Sequence, residues 1–332
     1  MTKKESPLFA IGDIHGCAPE LHRLLAELPL TKDSTVVFLG DLIDRGNYSR
    51  EVVDTIIDLS KKYKVVALCG NHEDMFLEFL LQSRTPEAAS FIMNGGSSTL
   101  ASYADDSGNY TIPEEHMKFF NELRLYYETE KFFFVHAGVP EVPISQMDPE
   151  FHRPVFLWTR NPFLTSDFPW EKIIVHGHTP VASAEIRSNR INIDTGCFYD
   201  GKLTAIEVHS GAIFSVEKDL KNEARIYLKD SGSSRIARRF DGEISVNIDR
   251  HGQSLNFITE NYSEFGLLIR PLKPEKSAVL FLTEKVSGQV GNDQHRKVYF
   301  KGEVVRVEDR GNEFLYGIRI DQATPADENE ES

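Results

Sequence analysis

Five short polar motifs, each lying directly after an apolar run, set the tightest limit on what this chain can become. They read GDIHG (12–16), GDLIDRG (40–46), GNHE (70–73), HAG (136–138) and GHT (177–179). The runs before them, residues 8–11, 36–39, 65–68, 132–135 and 173–175, are short and built from valine, isoleucine, leucine and phenylalanine, as buried strands are. After each of the first three motifs comes a stretch of helical period: Leu21, Leu24, Leu25 and Leu28 after Pro19, then residues 51–59 and 75–81. Strand alternating with helix predicts an α/β fold with parallel strands. In such a sheet the carboxyl ends bring their loops to one edge, so the five motifs are expected to meet there.

What they would bring together is Asp13, His15, Asp41, Asn71, His136 and His178, oxygen and imidazole donors with no thiolate among them. That donor mix suits two divalent cations, and a carboxylate such as Asp41 can bridge them because it has two oxygens. Two ions about 3.5–4 Å apart can hold a hydroxide between them for in-line attack at phosphorus. His72, beside Asn71, is placed to protonate a leaving oxygen; Asp44 could orient it and Arg45 could grip phosphate. His176 lies in a predicted strand and is read as a core or supporting residue, and His22, His116 and His152 as surface or helix residues.

Composition agrees with a soluble enzyme. Nine of the 11 histidines precede residue 210. The net charge of −14 argues against binding to duplex nucleic acid or an anionic membrane, although a local basic patch is not excluded. Three widely spaced cysteines, Cys17, Cys69 and Cys197, read as reduced thiols, and the start MTKKESPLFAIGD has no apolar stretch long enough for a signal core or a span. A cytoplasmic location without membrane insertion is therefore expected.

The five motifs together resemble those of the phosphoprotein phosphatase branch of the calcineurin-like metallophosphatases over residues 8–209, most closely the small lambda phosphatase-like group. MNGGSSTL (93–100), FLWTRNPF (156–163) and NIDTGCFYDGKLTAIEV (192–208) look like that subgroup too. The resemblance implies a double β-sheet sandwich flanked by helices, over residues 1–217. It implies Asp13, His15 and Asp41 on one ion and Asp41, Asn71, His136 and His178 on the other. Arg45 and Arg160 would hold the phosphate, with His72 as general acid and Asp44 in support. Manganese is the first expectation, with iron, zinc or magnesium compatible, and the implied substrate is a serine- or threonine-phosphorylated protein. Symmetrical dinucleoside-polyphosphate hydrolases are the neighbouring group. They typically lack the acid before Arg-Gly and carry GNHD, so Asp44 and Glu73 favour the protein phosphatase.

The remainder differs in character. Residues 211–320 carry 18 basic and 16 acidic residues and short β-branched runs at 243–248, 265–269, 278–281, 297–300, 304–307 and 314–320. These predict a small antiparallel barrel at 235–320, joined by a polar linker (218–234) and followed by an acidic tail (321–332) expected to be disordered. Within it, SRIARRFDG places Arg235 and Arg239 four apart, and NYSEFG places Asn261, Ser263 and Gly266 in register downstream. Together these resemble a PilZ domain, a family that binds cyclic di-GMP. The resemblance implies Arg235 and Arg239 on guanine edges and phosphates, with Asn261, Ser263 and Gly266 opposite; an arginine fork can serve both groups. The combined expectation is a metallophosphatase tuned or placed by cyclic di-GMP. A dinucleoside-polyphosphate hydrolase and a non-catalytic cyclic di-GMP-controlled adaptor are the alternatives.

Overall fold

Apolar runs become strands and the segments between them helices, in a computed structural model that describes residues 5–219, 226–228, 237–250, 253–272, 279–291, 297–310 and 314–325. The chain divides into two compact units, residues 1–74 with 111–226 and residues 75–110 with 227–332. Numbered along the chain, the first unit holds β1 (Leu8–Ile11), α1 (Ala18–Glu27), β2 (Thr35–Phe38), α2 (Ser49–Ser60), β3 (Lys64–Ala67) and the start of α3 (Asn71–Leu81). It continues with α6 (Glu114–Asn121), β4 (Tyr126–Glu128), β5 (Phe132–Val135), α7 (Arg153–Trp158), β6 (Ile173–His176), β7 (Glu185–Ile186), β8 (Arg190–Asn192), β9 (Lys202–Glu207) and β10 (Ala212–Glu217).

These strands make two five-stranded sheets, ordered β10-β9-β1-β2-β3 and β4-β5-β6-β8-β7. β1, β2 and β3 are mutually parallel, as are β5, β6 and β8. The alternation of β5 shows why the sheets stack. Phe132 and Phe134 enter a core with Leu8, Ala10, Val37, Leu39 and Val175, whereas Phe133 and Val135 face a second cluster with Phe156, Phe163 and Trp170. On the far side of the first sheet, α1 lies against β9 and β10, and α2 against β3. α1 buries Leu21 and Leu24, which the helical period selects, behind a proline in its first turn. The expected sandwich with flanking helices is thus present.

The second unit comprises the rest of α3, α4 (Pro86–Phe91), α5 (Ser97–Ser102), β11 (Phe240–Asp241), β12 (Ser245–Arg250), β13 (Gln253–Ser263), β14 (Gly266–Pro271), β15 (Lys285–Val290), β16 (Val298–Asp309) and β17 (Phe314–Pro325). Its strands run β11-β13-β12-β15-β16-β17-β14, and β13 also pairs with β14, so the six from β13 to β14 close into an antiparallel barrel. Several sequence expectations need correction. Residues 279–281 lie outside any strand. The runs 297–300 and 304–307 are parts of one twelve-residue strand, β16, whose pairing with β17 is interrupted at Lys301/Gly302 and Val304/Arg306. The strand passes through Gly302 because a bulge there absorbs it. β13, too polar for an apolar-run search, was missed. β17 continues to Pro325, so 321–325 are strand and not tail; residues 326–332 lie outside the described ones.

Residues 75–110 were expected with the first segment, yet they cluster with the barrel. The cause is aromatic packing: the Phe79 ring lies 5.0 Å from Phe91 and 5.7 Å from Phe240, and the Tyr262 hydroxyl donates to the Ser83 carbonyl at 3.2 Å. Of the expected linker, Leu228 is buried and takes a hydrogen bond from the Arg238 amide at 2.6 Å.

Phe134→Ala removes a fully buried ring from between the sheets. The chain's two tryptophans, Trp158 and Trp170, both belong to the first unit, so their fluorescence in a urea titration isolates that unit. The expected loss is about 3–5 kcal/mol; a shift below about 1 kcal/mol would contradict this packing.

Candidate metal centre

Every motif lies at the carboxyl end of a parallel strand: four occupy loops, residues 12–17 after β1, 39–48 after β2, 136–138 after β5 and 177–179 after β6, while GNHE follows β3 with Gly70 in the loop and Asn71, His72 and Glu73 opening α3. All six expected ligands are buried. Among the described residues, seven other than glycine have a positive φ, and five of them belong here: His15 (46°), Asp41 (49°), Asp44 (71°), Arg45 (67°) and His178 (66°). Left-handed backbone costs about 1–2 kcal/mol per residue, so its concentration in these loops marks a functional constraint.

The donors converge on Asp41. Its Oδ2 lies 3.5 Å from His15 Nε2 and its Oδ1 3.4 Å from His136 Nε2. Asn71 Oδ1 is 2.9 Å from that same His136 nitrogen and 3.1 Å from His178 Nδ1. Asp13 accepts the His178 amide at 3.1 Å. The outer ring nitrogens explain the tautomers. His136 Nδ1 faces the Leu39 carbonyl at 2.9 Å and His15 Nδ1 the Ile43 carbonyl at 3.0 Å, and a carbonyl can only accept. Both Nε2 atoms are then lone pairs, and in His136 that lone pair points at two further acceptors. A cation among them turns this mutual repulsion into coordination, so the residues fit divalent ions.

Charge leads to the same conclusion. Burial, followed by the charges of Asp194 and Asp41, pushes Asp13 well above the usual carboxylate range. Burial pushes Asp41 up to about 6 against the opposing pull of His178 and Arg45, and pushes Asp194 to about 6 as well. Burial lowers His136 to about 4 and takes His15 and His72 well below the imidazole range. The site therefore gathers acids that resist ionising and imidazoles that resist protonation, and divalent charge stabilises both in their ligand forms.

Glu73 supplies the frame. Its Oε2 accepts the amides of Asp41 and Gly70, both at 2.9 Å, and its Oε1 those of Leu42 at 2.8 Å and Ile43 at 3.2 Å. One carboxylate thus pins the second loop to the third. Burial and the Asp41 charge push Glu73 up to about 8, while the four amides favour its anion. Contact is close enough that a Cβ on Gly70 would lie 2.2 Å from Asp41 Oδ1.

The remaining expected residues are near. His72 Nδ1 meets Asp44 Oδ2 at 2.7 Å and its Nε2 lies 4.0 Å from Asp41 Oδ2. Arg45 Nη1 is 3.0 Å from His15 Nε2. Arg160 follows α7, and its charge together with Arg45's favours the Asp194 anion. His176 is a core residue, fully buried against Phe163 at 4.9 Å and lowered to about 3 by burial. His116, on α6, is also buried and bonds Asp54 at 3.0 Å. Sequence reasoning missed three neighbours. Asp194 follows the run 191–193 and adds buried charge; Tyr199 puts its ring 5.2 Å from the Arg45 guanidinium; Trp158 lies 6.4 Å from His178. The NIDTG sequence was the available signal for the first, and nothing marked the other two.

The cysteines are free thiols. Cys17 and Cys197 group with Glu20, but Lys218 Nζ stands 3.1 Å from Cys17 Sγ and supplies positive charge there already.

In the second unit, Arg239 Nη1 donates to Asn261 Oδ1, and Ser263 Oγ donates to the Gly266 carbonyl at 3.4 Å. Gly266 lies close enough that a Cβ there would be 3.5 Å from the Arg239 guanidinium. Four of the five residues expected around cyclic di-GMP are thus neighbours; Arg235 lies outside the described residues.

Comparison with known proteins matches residues 6–206 to the calcineurin-like phosphoesterase family. The bis(5'-nucleosyl)-tetraphosphatase PrpE [asymmetrical] of Anoxybacillus flavithermus is 30% identical over 226 residues, 59% of this chain and 88% of that protein. Its namesake from a Geobacillus species is 29% identical, covering 63% and 94%. A crystal structure of a provisionally assigned diadenosine tetraphosphatase superposes with a TM-score of 0.50 at 20% identity, over 66% of this chain and 97% of that one.

With Asp41 near 6 and His136 near 4, the proton that a cation must displace on acidification sits on the carboxylate. Calorimetric manganese titrations of the stripped protein should show apparent affinity falling about tenfold per pH unit below about pH 6 for each proton displaced from Asp41. A break delayed to about pH 4 would assign the competition to imidazole instead.

Proposed function

This chain belongs to the calcineurin-like phosphoesterase family and is a metallophosphoesterase, and we propose that it hydrolyses dinucleoside tetraphosphates at a two-ion centre held by Asp13, His15, Asp41, Asn71, His136 and His178. The observation that carries the two-ion part is the mutual approach of acceptors around Asp41; that all six donors are buried is its complement. Support for the substrate comes from relatives named as asymmetrical tetraphosphatases, where the sequence had suggested a symmetrical hydrolase as the alternative. Divalent ions supply Lewis-acid polarisation of the phosphoryl group and an activated water. The chain's own residues do the rest. Arg45 and Arg160 bind non-bridging phosphate oxygens, and the Tyr199 ring steadies the Arg45 guanidinium. Asp44 fixes the His72 ring with Nε2 turned toward the centre, where an anionic phosphate would favour its protonated form.

That His72–Asp44 pair favours a second reading, hydrolysis of phosphoserine or phosphothreonine in proteins. A serine alkoxide departs about as reluctantly as hydroxide, whose conjugate acid has a pKa of about 16. A nucleotide phosphate, with a pKa of about 6, leaves without a proton. A general acid is needed for the first and dispensable for the second. Manganese is the first expectation for the ions, and the donor types also permit iron, zinc or magnesium.

Arg239, Asn261, Ser263 and Gly266 support a PilZ-like reading of the barrel, with cyclic di-GMP as its regulatory ligand and Arg235 as a further contact. The adaptor alternative loses its support with the membership in a hydrolase family.

His72→Asn is expected to slow release of phosphate from a phosphoserine peptide about 10²–10⁴-fold, but hydrolysis of diadenosine tetraphosphate less than about tenfold; full chelation should stop both. Wild-type protein that cleaves the peptide and leaves the dinucleotide intact would reverse the order of the two readings. Calorimetry of the full chain with cyclic di-GMP should show micromolar binding weakened at least about tenfold by Arg239→Ala. Absence of heat with the wild type removes the messenger from this account.

A further inference from the structure

The outer face of the barrel holds a cavity of about 450 Å3 lined from five adjacent strands, β13, β12, β15, β16 and β17. Strand register arranges nine of its eleven lining residues in two cross-strand rows, the other two being the paired Gly288 and Phe300 between them. One runs Asn247, Gln289, Tyr299, Thr324; the other runs Ser254, Asp249, Ser287, Lys301, Gln322. Alternation keeps these rows outside, because Val246, Ile248, Val298 and Phe300 on the same strands are buried in the barrel. A barrel wall is ordinarily convex. Here the two bulges in the pairing of β16 with β17 bend a long strand, and one of them falls at Lys301 itself.

The chemistry of the lining narrows the occupant. The first row is half-buried and consists of two primary amides, a phenol and a hydroxyl, each able to donate and to accept. Vicinal hydroxyls have that same dual character. Among the lining residues no aliphatic side chain appears, which disfavours a hydrocarbon or lipid tail. The single ammonium, Lys301, is matched by the single carboxylate, Asp249, so the face offers no net charge to a phosphate-rich ligand. Tyr299 provides one aromatic face for a C–H-bearing ring. The volume lies within the range of about 300–1,000 Å3 usual for small-molecule pockets.

We propose that this concave face binds a saccharide of one or two rings. Tyr299 lies under a sugar ring, Asn247 and Gln289 hydrogen-bond its hydroxyls, and the Asp249 and Lys301 row meets its more exposed edge. The site is separate from Arg239 and Asn261 in sequence and in chemistry, and it does not depend on the assigned substrate of the metal centre.

Saturation-transfer difference NMR on the full chain with maltose, cellobiose or N,N'-diacetylchitobiose at about 10 mM, ten times a Kd of about 1 mM, tests this. Transfer to ring C–H protons is expected for at least one sugar, with binding about two- to tenfold weaker in Tyr299→Ala and retained in Tyr299→Phe. If Tyr299→Ala does not fold, Gln289→Ala takes its place, with the same weakening expected. No transfer from any of the three sugars overturns the proposal, as does transfer unchanged by the alanine variants. Transfer from a polar peptide such as Gly-Gln-Ser in the absence of any from the sugars overturns it as well.

Discussion

Burying like charges together is the constraint on which the first unit is organised. Asp13, Asp41 and Asp194 lie in one water-poor edge of a sandwich, and their proximity raises the free energy of each anion. A fold tolerates this only where something holds the groups in place and something neutralises them. Holding is done by backbone: two stacked sheets deliver the loops, strained left-handed residues aim the side chains, and Glu73 ties one loop to the next through four amides. Neutralisation is left to cations. The stability of the apo state and the affinity for metal are therefore opposed, a common bargain at preorganised sites.

Much of this was legible because two kinds of signal coincided. Apolar runs located β1, β2, β3, β5 and β6 to within a residue or so, and the residue types that follow each run marked the candidate ligands, which the structure brings together. What sequence could not show is which nitrogen of each imidazole faces inward. That follows from the Leu39 and Ile43 carbonyls, groups every residue possesses and no motif advertises. Asp194 escaped for a related reason: one acid after a short run is an unremarkable pattern until folding sets it beside Asp13. Glu73 was noticed only as a letter that separates subgroups, while its position gives it a bracing role.

The barrel was harder to read. Strands there are half-exposed, and their polar outer rows dilute the apolar signal, which is how the eleven residues of β13 went unseen and β16 was split in two. Its closure depends on pairing between strands far apart in sequence, such as β14 with β17, and no local pattern encodes that. The arginine and asparagine at 239 and 261 were singled out by spacing and chemical type rather than by hydropathy, and the structure sets their side chains in contact.

Helix α3 opens with Asn71 and His72 and ends among residues that cluster with the barrel. Phe79 has both Phe91 and Phe240 as ring neighbours, and Phe240 lies more than 140 positions further along. The modules of this protein are consequently not the pieces that a restriction map would suggest. A truncated gene ending near residue 215 would still encode residues 75–110 but not the β-strands they cluster with, leaving the Phe79 ring without Phe240.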